Sequence, residues 1–227
     1  MLEIVSQRVS VIRNARQQMN GWDLLRALDD ECARLAIFDP QYRAVLDAMK
    51  FGNEKTTARQ QRRAALSAMT DNDIQLFVEQ IERVLKPSGY LALWVDKFII
   101  GSGHHLRYLE YCSQMRTVDL LCWETQRFGM GRRFRSATEY LLILQKDPKA
   151  AKGTWHNNSL RDWHSEKSDR DSHPHAKPEK LTRALIETMT RKGDLVVDPC
   201  AGSFGVLSAC RLTGREFVGC DLASEIG

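Results

Sequence analysis

A run of small residues and a later acidic residue near the end of the chain have the spacing of a nucleotide-binding site. The sequence D-P-C-A-G-S-F-G occupies residues 198–205 and follows the apolar run Leu195, Val196 and Val197. A loop of small residues lets backbone N–H groups approach a ligand closely. Asp221 follows the next apolar run, where a carboxylate can bind ribose hydroxyls. The pattern predicts a site for a nucleoside-containing cofactor.

Two common nucleotide motifs are missing from this region. The chain has no G-x-G-x-x-G, which disfavours a dinucleotide, and no G-x-x-x-x-G-K-[ST], which excludes a P-loop. Taken alone, the loop is equally compatible with an ordinary glycine-rich turn of an α/β protein.

Alternating apolar and amphipathic segments supply the elements that would position this loop. The pattern predicts helices at residues 22–28, 71–85, 105–115 and 178–189, with Asp71 as the cap of the second and Pro178 opening the last. It predicts strands at residues 35–38, 90–95, 118–123, 138–144, 195–197 and 216–220. Such alternation is typical of an α/β protein with a doubly wound, mostly parallel sheet. We expect a single domain over residues 1–227.

The composition narrows the class of protein. The net charge of +4 is mild, so the distribution of charge is more informative than its sum. We find neither a leader segment nor an apolar run of about 18 residues, so we expect a cytoplasmic protein that does not span a membrane. The six cysteines form no C-x-x-C pair, and His156, His164, His173 and His175 match no zinc motif. We therefore expect reduced thiols and no metal site.

Basic residues are concentrated in two segments. Residues 50–63 carry five basic residues against Glu54, and residues 127–135 carry four arginines and no acid. Both segments are predicted to be loops, as are residues 146–176. A merely solvated surface is the alternative, but the interleaved aromatic and glycine residues favour contact with phosphates.

Five motifs in one order resemble the DNA methyltransferases that methylate amino groups. D-P-Q-Y at residues 39–42 resembles the D-P-P-Y catalytic motif, and the loop at 198–205 resembles the D-P-F-x-G-x-G cofactor loop. H-P-H-A-K-P at residues 173–178 resembles H-P-x-x-K-P. Residues 127–140 resemble G-M-G-x-x-x-R…H-E, and L-K-P-S-G resembles L-K-P-G-G. The catalytic motif precedes the cofactor loop, as in the family's β-group.

The resemblance implies a Rossmann-like methyltransferase fold with circularly permuted motif order, S-adenosylmethionine as cofactor and double-stranded DNA as substrate. Asp39 and the carbonyl of Pro40 would accept the two hydrogens of a base amine, which frees the nitrogen lone pair. Tyr42 would stack on a base flipped out of the duplex. In the family, D-P-P-Y accompanies adenine N6 and S-P-P-Y accompanies cytosine N4, so Asp39 favours adenine.

The implied site comprises three groups of residues. The catalytic group is Asp39, Pro40, Gln41 and Tyr42. The cofactor group is Asn20, Asp39, Lys177, Asp198, Pro199, Cys200, Ala201, Gly202, Ser203, Asp221 and Leu222. The DNA-binding group is Lys55, Arg59, Arg62, Arg63, Arg127, Arg132, Arg133 and Arg135, within loop regions 50–73, 127–135 and 146–176.

The chain departs from the family pattern at four positions. Gln41 replaces the second proline, Cys200 replaces a phenylalanine, and Phe204 replaces the second glycine of the loop. Asn20 stands where an aspartate usually contacts the adenine of the cofactor. A cytosine-N4 or RNA methyltransferase and a nucleic-acid-binding pseudoenzyme subunit are the alternatives to an adenine methyltransferase of a restriction-modification system.

The resemblance also bears on assembly. The chain ends six residues after Asp221, where relatives commonly continue with a further helix. An uncovered apolar sheet flank is costly, so we expect a homodimer to cover it. The competing expectation is that residues 1–19 fold over the same flank.

Overall fold

The computed structural model describes residues 10–41, 69–129, 133–150, 153–167 and 176–222. Within these ranges one sheet of seven strands has the order β5-β3-β4-β2-β1-β6-β7. The strands are β1 (Ala33–Phe38), β2 (Leu85–Val95), β3 (Met115–Gly129), β4 (Ser136–Lys146), β5 (Trp163–Ser165), β6 (Leu195–Asp198) and β7 (Glu216–Gly219).

The sheet is mostly parallel. β1 runs parallel to β2 and β6, β7 is parallel to β6, and β5 is parallel to β3. β4 is antiparallel to both β2 and β3. Leu35 and Ala36 of β1 pair with Val196 and Val197 of β6, so the two strands end side by side. The carboxyl end of β1, from the first part of the chain, therefore lies beside the carboxyl end of β6, from the last part, as the permuted motif order implies.

Helices cover both faces of this sheet. They are α1 (Gly21–Ala27), α2 (Asp71–Val84), α3 (Lys97–Gly101), α4 (Glu179–Met189) and α5 (Gly205–Thr213), with 3-10 helices at His104–Leu109 and Pro148–Ala150. No helix in the described ranges is both long and apolar enough to cross a membrane.

Side chains of β1 divide between two apolar cores because successive residues of a strand point to opposite faces. Phe38 packs in the core formed with α1, α2 and α3. Leu35 and Ile37 pack in the core formed with α4 and α5. The predicted doubly wound α/β fold is thereby confirmed.

Two helix predictions were wrong in detail. Residues 105–115 do not form an α-helix: a 3-10 helix ends at Leu109, and Met115 already begins β3. This 3-10 helix buries only Tyr108, so it lacks the apolar stripe that a longer helix would bury. Asp71 is not the cap of α2, since Thr70 accepts from the backbone of Asp73 while the Asp73 carboxylate accepts from the backbone of Thr70.

The loop predictions were too broad. The sheet extends into the segment predicted as a loop at residues 127–135, because β3 runs to Gly129 and includes Arg127. The segment at 146–176 contains a 3-10 helix and β5, which pairs with β3 through Cys122 and Trp163. Pairing with a strand far away in sequence overrides the polar composition that predicted a loop.

Residues near the start of the chain lie along β7. The backbone of Asn14 donates to the carbonyl of Phe217 (2.8 Å), and the side chain of Asn14 accepts from the backbone of Phe217 (2.8 Å). Further along, the backbone of Met19 donates to the carbonyl of Asp221 (3.1 Å), and Asp221 donates to Gln17 (3.1 Å). This segment therefore lies along β7, the flank of the sheet for which a dimer partner or residues 1–19 were the two expected covers.

Candidate active site

The small-residue loop is fixed at both of its ends. Asp198 is the last residue of β6 and is buried, and its carboxylate accepts from the backbone of Cys200 (3.2 Å). The backbone of Ala201 donates to the carbonyl of Cys220 just beyond β7 (2.9 Å). The loop is thus held across the ends of two neighbouring strands and leads directly into α5.

Asp221 also fixes the small-residue loop. Its carboxylate accepts from the backbone of Gly202 (3.0 Å), at a position where the loop has a positive φ of 49°. Gln18 forms an isolated parallel bridge with Asp221, so the N-terminal segment also fixes this residue. Leu222, the next predicted site residue, is exposed. The predicted roles of Asp221 and Leu222 in cofactor binding stay predictions.

The start of α1 packs directly against the loop. A Cβ atom added to Gly21 would lie 2.2 Å from the carbonyl oxygen of Pro199, so no larger residue fits there. Asn20 caps the helix, with its side-chain oxygen accepting from the backbone of Trp22 (2.9 Å). Asn20 is therefore beside the loop as expected, but its oxygen is engaged by the helix.

Asp198 lies in an unusually acidic and dry environment. Burial raises the pKa of its carboxyl group to about 8, and the charges of Asp39 and Asp221 contribute in the same direction. The hydrogen bond from Cys200 opposes this rise. Asp198 itself is then protonated near neutral pH, and only the charges of Asp39 and Asp221 beside it would stabilise a cation bound nearby.

Asp39 lies directly beyond β1, beside the end of β6. Its carboxylate forms an ion pair with Lys177, whose Nζ is 3.0 Å from Oδ1. The same Nζ donates to Glu139 of β4 (3.0 Å) and lies 4.5 Å from the ring centre of Trp94. The structure thus brings Lys177 to the predicted catalytic carboxylate, and it adds Glu139, whose motif was noted but whose role was not predicted.

Opposing influences act on Lys177. Burial by itself lowers the pKa of the amine, but the charges of Asp39 and Glu139 and their hydrogen bonds outweigh it, so the net pKa is raised. Lys177 is a firmly charged ammonium between two carboxylates.

Glu166 is a structural residue that the sequence reasoning missed. Pro178 precedes α4 and offers no side-chain cap. The Glu166 carboxylate instead accepts from the backbone N–H groups of Lys180 (2.9 Å) and Leu181 (3.0 Å) in the first turn. It also contacts His164 (2.9 Å). Glu166 thereby fixes the helix that directly follows Lys177, and a proline at a helix start without a polar cap was the available signal.

Two described residues, Gln41 and Met69, meet close to Asp39 in the chain. The backbone of Met69 donates to the carbonyl of Gln41 (2.8 Å). Tyr42, Lys55, Arg59, Arg62 and Arg63 lie outside the described residues.

The hairpin of β3 and β4 carries the second basic segment. Arg133 and Arg135 are exposed near its tip, and Arg127 is partly exposed. Arg132 lies outside the described residues. β4 contributes Glu139 to the contact with Lys177, so the hairpin rises from the same edge of the sheet as Asp39.

In the part of the chain that the structure describes, cysteines and acidic residues elsewhere form no second candidate site. The six cysteines are free, and burial raises the pKa of Cys112, Cys210 and Cys220 to about 12. Within the described ranges, no group of three or more His, Cys, Asp or Glu residues could hold a metal ion. His173 and His175 lie outside those ranges.

Comparisons with known proteins agree with this arrangement. Residues 34–226 match the family N6_N4_Mtase, described as DNA methylase. Type II methyltransferase M.HhaII of Haemophilus parahaemolyticus is 46% identical over 209 residues, or 92% of this chain and 91% of that protein. DNA adenine methyltransferase YhdJ of Escherichia coli (strain K12) is 40% identical over 55 residues, or 24% of this chain and 19% of that protein.

A solved structure extends the likeness to three dimensions. The complex of M1.HpyAVI with SAM has a TM-score of 0.66, covering 92% of this chain and 93% of that chain at 18% identity. At this identity the likeness shows a shared fold.

Proposed function

Because the chain belongs to the DNA methylase family of N6 and N4 amino-methyltransferases, we propose that it methylates the N6 amine of adenine at specific sites in DNA. S-adenosylmethionine is the methyl donor. The observation that carries the proposal is the position of Asp39, which lies beside the loop at 198–205 on neighbouring strand ends. Ligands of open α/β sheets bind at such carboxyl ends.

The chemistry of the amine assigns a role to Asp39. An exocyclic base amine is a poor nucleophile because its lone pair is delocalised into the ring. A carboxylate oxygen of Asp39 and the backbone carbonyl of Pro40 accept its two hydrogens and localise the lone pair on nitrogen. Positioning and local electrostatics supply most of the acceleration. Tyr42 is proposed to stack on the flipped base.

The residues around the loop fit the cofactor. S-adenosylmethionine supplies a methyl group already activated by a positive sulfonium. The charges of Asp39 and Asp221 beside Asp198 favour a cation, and the loop offers a close backbone approach. Asp221 at the tip of β7 is the proposed partner of the ribose hydroxyls. Asn20, Lys177, Leu222 and the loop residues Pro199, Cys200, Ala201, Gly202 and Ser203 complete the proposed cofactor site.

Two basic segments would hold the DNA around Asp39. Residues 55–63 lie in the sequence between Gln41 and Met69, which are hydrogen-bonded to each other, and Arg127, Arg133 and Arg135 belong to the hairpin whose strand β4 carries Glu139. Lysine and arginine contacts to phosphates orient the duplex without reading its sequence. The likeness to a type II methyltransferase supports a place in a restriction-modification system, and we place the enzyme in the cytoplasm, with the DNA.

The homodimer remains a proposal with weakened support. The edge of β7 that was expected to need a partner is lined by residues 14–19. The argument for a dimer therefore rests on the habit of β-group relatives alone. Multi-angle light scattering over a concentration series tests it, and a monomeric mass at tens of micromolar protein would contradict the dimer.

Methylation of DNA by the purified protein tests the function. Genomic DNA without adenine methylation is incubated with S-adenosylmethionine, digested and analysed by mass spectrometry for N6-methyladenine and N4-methylcytosine. We expect N6-methyladenine with the wild type and none with Asp39→Ala, while calorimetry shows that the variant still binds cofactor. N4-methylcytosine would favour the cytosine alternative. Absence of any product together with absence of cofactor binding would favour the pseudoenzyme.

A further inference from the structure

Two phenylalanines at the tip of the β3–β4 hairpin are almost fully exposed. Phe128 is 87% exposed and Phe134 is 85% exposed. Two large apolar side chains exposed on one hairpin are candidates for a binding surface. Neither ring belongs to the two apolar cores of the described structure, so both are available to a binding partner.

A bulge in β3 presents Phe128 outward. Glu124 pairs with Thr138, and Gly129 pairs with Ser136, so residues 125–128 of β3 lie opposite residue 137 alone. Gln126 adopts a positive φ of 54° within this bulge, a conformation that a non-glycine residue rarely takes. The buried hydroxyl of Thr125 donates to the carbonyl of Ala137 (3.1 Å) and holds the bulge in place. Bulges of this kind re-aim side chains beside functional sites.

The charges around these rings identify the partner as an anion. Residues 127–135 include four arginines and no acid. Aromatic rings among arginines suit stacked bases flanked by phosphates. Phe134 is five residues along the chain from Glu139, which contacts the same lysine as Asp39. At about 3.3 Å per residue, at most about 17 Å of chain separates them, which is comparable to the width of a duplex.

We propose that Phe128 and Phe134 form an aromatic wedge that enters the base stack beside the target adenine. The inference rests on the proposed function, since a flipped base leaves a gap in the duplex. In proteins that bind the minor groove, apolar side chains inserted between base steps hold the duplex in a partly unstacked form. Here the wedge stabilises the opened duplex while Asp39 holds the extruded base. Its effect is largest where the target is fully paired.

A substrate that is already opened separates this role from general DNA binding. The methylated site is first mapped by sequencing genomic DNA treated with the wild type. Two oligonucleotide duplexes are then made around that site, one fully paired and one with an abasic position opposite the target adenine. The abasic duplex lacks the pairing that must be broken, so its methylation depends less on a wedge.

The double variant Phe128→Ala/Phe134→Ala is compared with the wild type and with Leu212→Ala. Leu212 is 63% exposed near the end of α5, at the opposite edge of the sheet. We expect the double variant to lose about tenfold to a hundredfold in kcat/KM on the paired duplex. We expect a loss of less than about threefold on the abasic duplex, unchanged thermal stability and unchanged cofactor binding. Phe134→Trp, which keeps a stacking ring, should retain activity on both.

Any other outcome contradicts the proposal of an aromatic wedge. Equal losses on both duplexes would reduce the rings to general binding contacts, and no loss on either would remove them from the reaction. Binding of the wild type, but not the double variant, to phosphatidylglycerol vesicles with unchanged methylation would assign the rings to a lipid surface. A wild type that methylates no DNA at all would overturn the proposed function and the wedge together, whereas an active wild type with a fully active double variant overturns the wedge alone.

Discussion

The ammonium of Lys177 lies 3.0 Å from the carboxylate of Asp39, although the two residues belong to opposite ends of the chain. Lys177 precedes α4 and Asp39 follows β1, so the contact joins the predicted catalytic motif to the segment before the predicted cofactor loop. Glu139 of the reversed strand β4 shares the same ammonium. One lysine thereby links three elements at the edge of the sheet where the reaction is proposed to occur.

Lys177→Met should shift the acidic limb of the pH–rate profile to higher pH. The ammonium favours the ionised form of Asp39, which is the form that accepts hydrogens from an amine. Without it, more of the carboxylate is protonated at a given pH, and kcat falls most at low pH. Lys180→Met, an exposed lysine in the first turn of α4, is the control and should leave the profile unchanged. Identical profiles for wild type and Lys177→Met would contradict an electrostatic role.

Asp198→Asn should stabilise the cofactor-free protein at alkaline pH. Below the ordinary pKa of 3.8 the carboxyl is protonated in both the folded and unfolded states. Between 3.8 and about 8 the unfolded chain ionises while the fold keeps the proton, so the free energy of unfolding falls as pH rises. The slope is about 1.4 kcal/mol per pH unit for one proton. The neutral amide of asparagine does not incur this loss.

Urea denaturation at pH 6 and pH 8.5 measures the effect of Asp198→Asn. The gain in stability of the variant over the wild type should be larger at pH 8.5. Asp194→Asn serves as the control, since this acid is only partly buried at the amino end of β6, away from the cluster. A gain that does not change with pH would show that the Asp198 carboxyl is ionised in the fold.

Local motifs explain why much of the site was predictable from the sequence. Asp39 and Asp198 each follow a short apolar run, and parallel strands place such residues at a common edge. The order of the motifs then predicts that these strands are neighbours, which the pairing of β1 with β6 confirms. Amphipathic periodicity similarly predicts α2 and its buried face.

Contacts between segments that are far apart in the sequence could not be predicted from the local sequence pattern. The Lys177–Glu139 contact depends on the reversed direction of β4, and the cap on α4 depends on Glu166 from a segment that reads as a loop. The bulge at residues 125–128 depends on the register of a strand pair. Each of these features is set by tertiary packing, which local propensity does not encode.

Phe204→Gly should be less destabilising than Phe204→Ala. Phe204 replaces a family glycine and adopts a left-handed conformation with φ 60°, which costs a non-glycine residue about 1–2 kcal/mol. Its buried ring packs against Phe217 at 6.4 Å and offsets that cost. Both variants lose the ring, worth about 3–5 kcal/mol, but only glycine relieves the backbone. Chemical denaturation should give a difference of about 1 kcal/mol between them. Equal stabilities would contradict the strain.

Arg133→Ala/Arg135→Ala should flatten the salt dependence of DNA binding. Each lost phosphate contact lowers the slope of log K against log salt by about 0.9, so the double variant should lose up to about 1.8. Arg191→Ala is the control, because Arg191 is exposed at the amino end of β6 on the opposite edge of the sheet. Fluorescence anisotropy with a labelled duplex at several salt concentrations measures the slope. A slope as steep as that of the wild type would place the two arginines on a solvated surface.

Glu166→Ala should destabilise the protein and disturb the Lys177 contact as well. The carboxylate accepts from two backbone N–H groups at the start of α4, and its negative charge interacts favourably with the positive end of the helix dipole. Charge-assisted hydrogen bonds of this kind contribute about 1.5–3 kcal/mol, which urea denaturation resolves. Glu179→Ala removes an exposed acid from the same first turn and controls for the helix dipole alone.

Activity then distinguishes a local cap from a cap that also positions the lysine. The first turn of α4 begins two residues after Lys177, so a frayed turn loosens the ammonium that holds Asp39. Glu166→Ala should therefore shift the acidic limb of the pH–rate profile in the same direction as Lys177→Met, by a smaller amount. Glu166→Gln keeps one acceptor oxygen and should recover part of both effects. A stability loss with an unchanged profile would confine Glu166 to the helix end, because the ion pair would then hold its geometry without the cap.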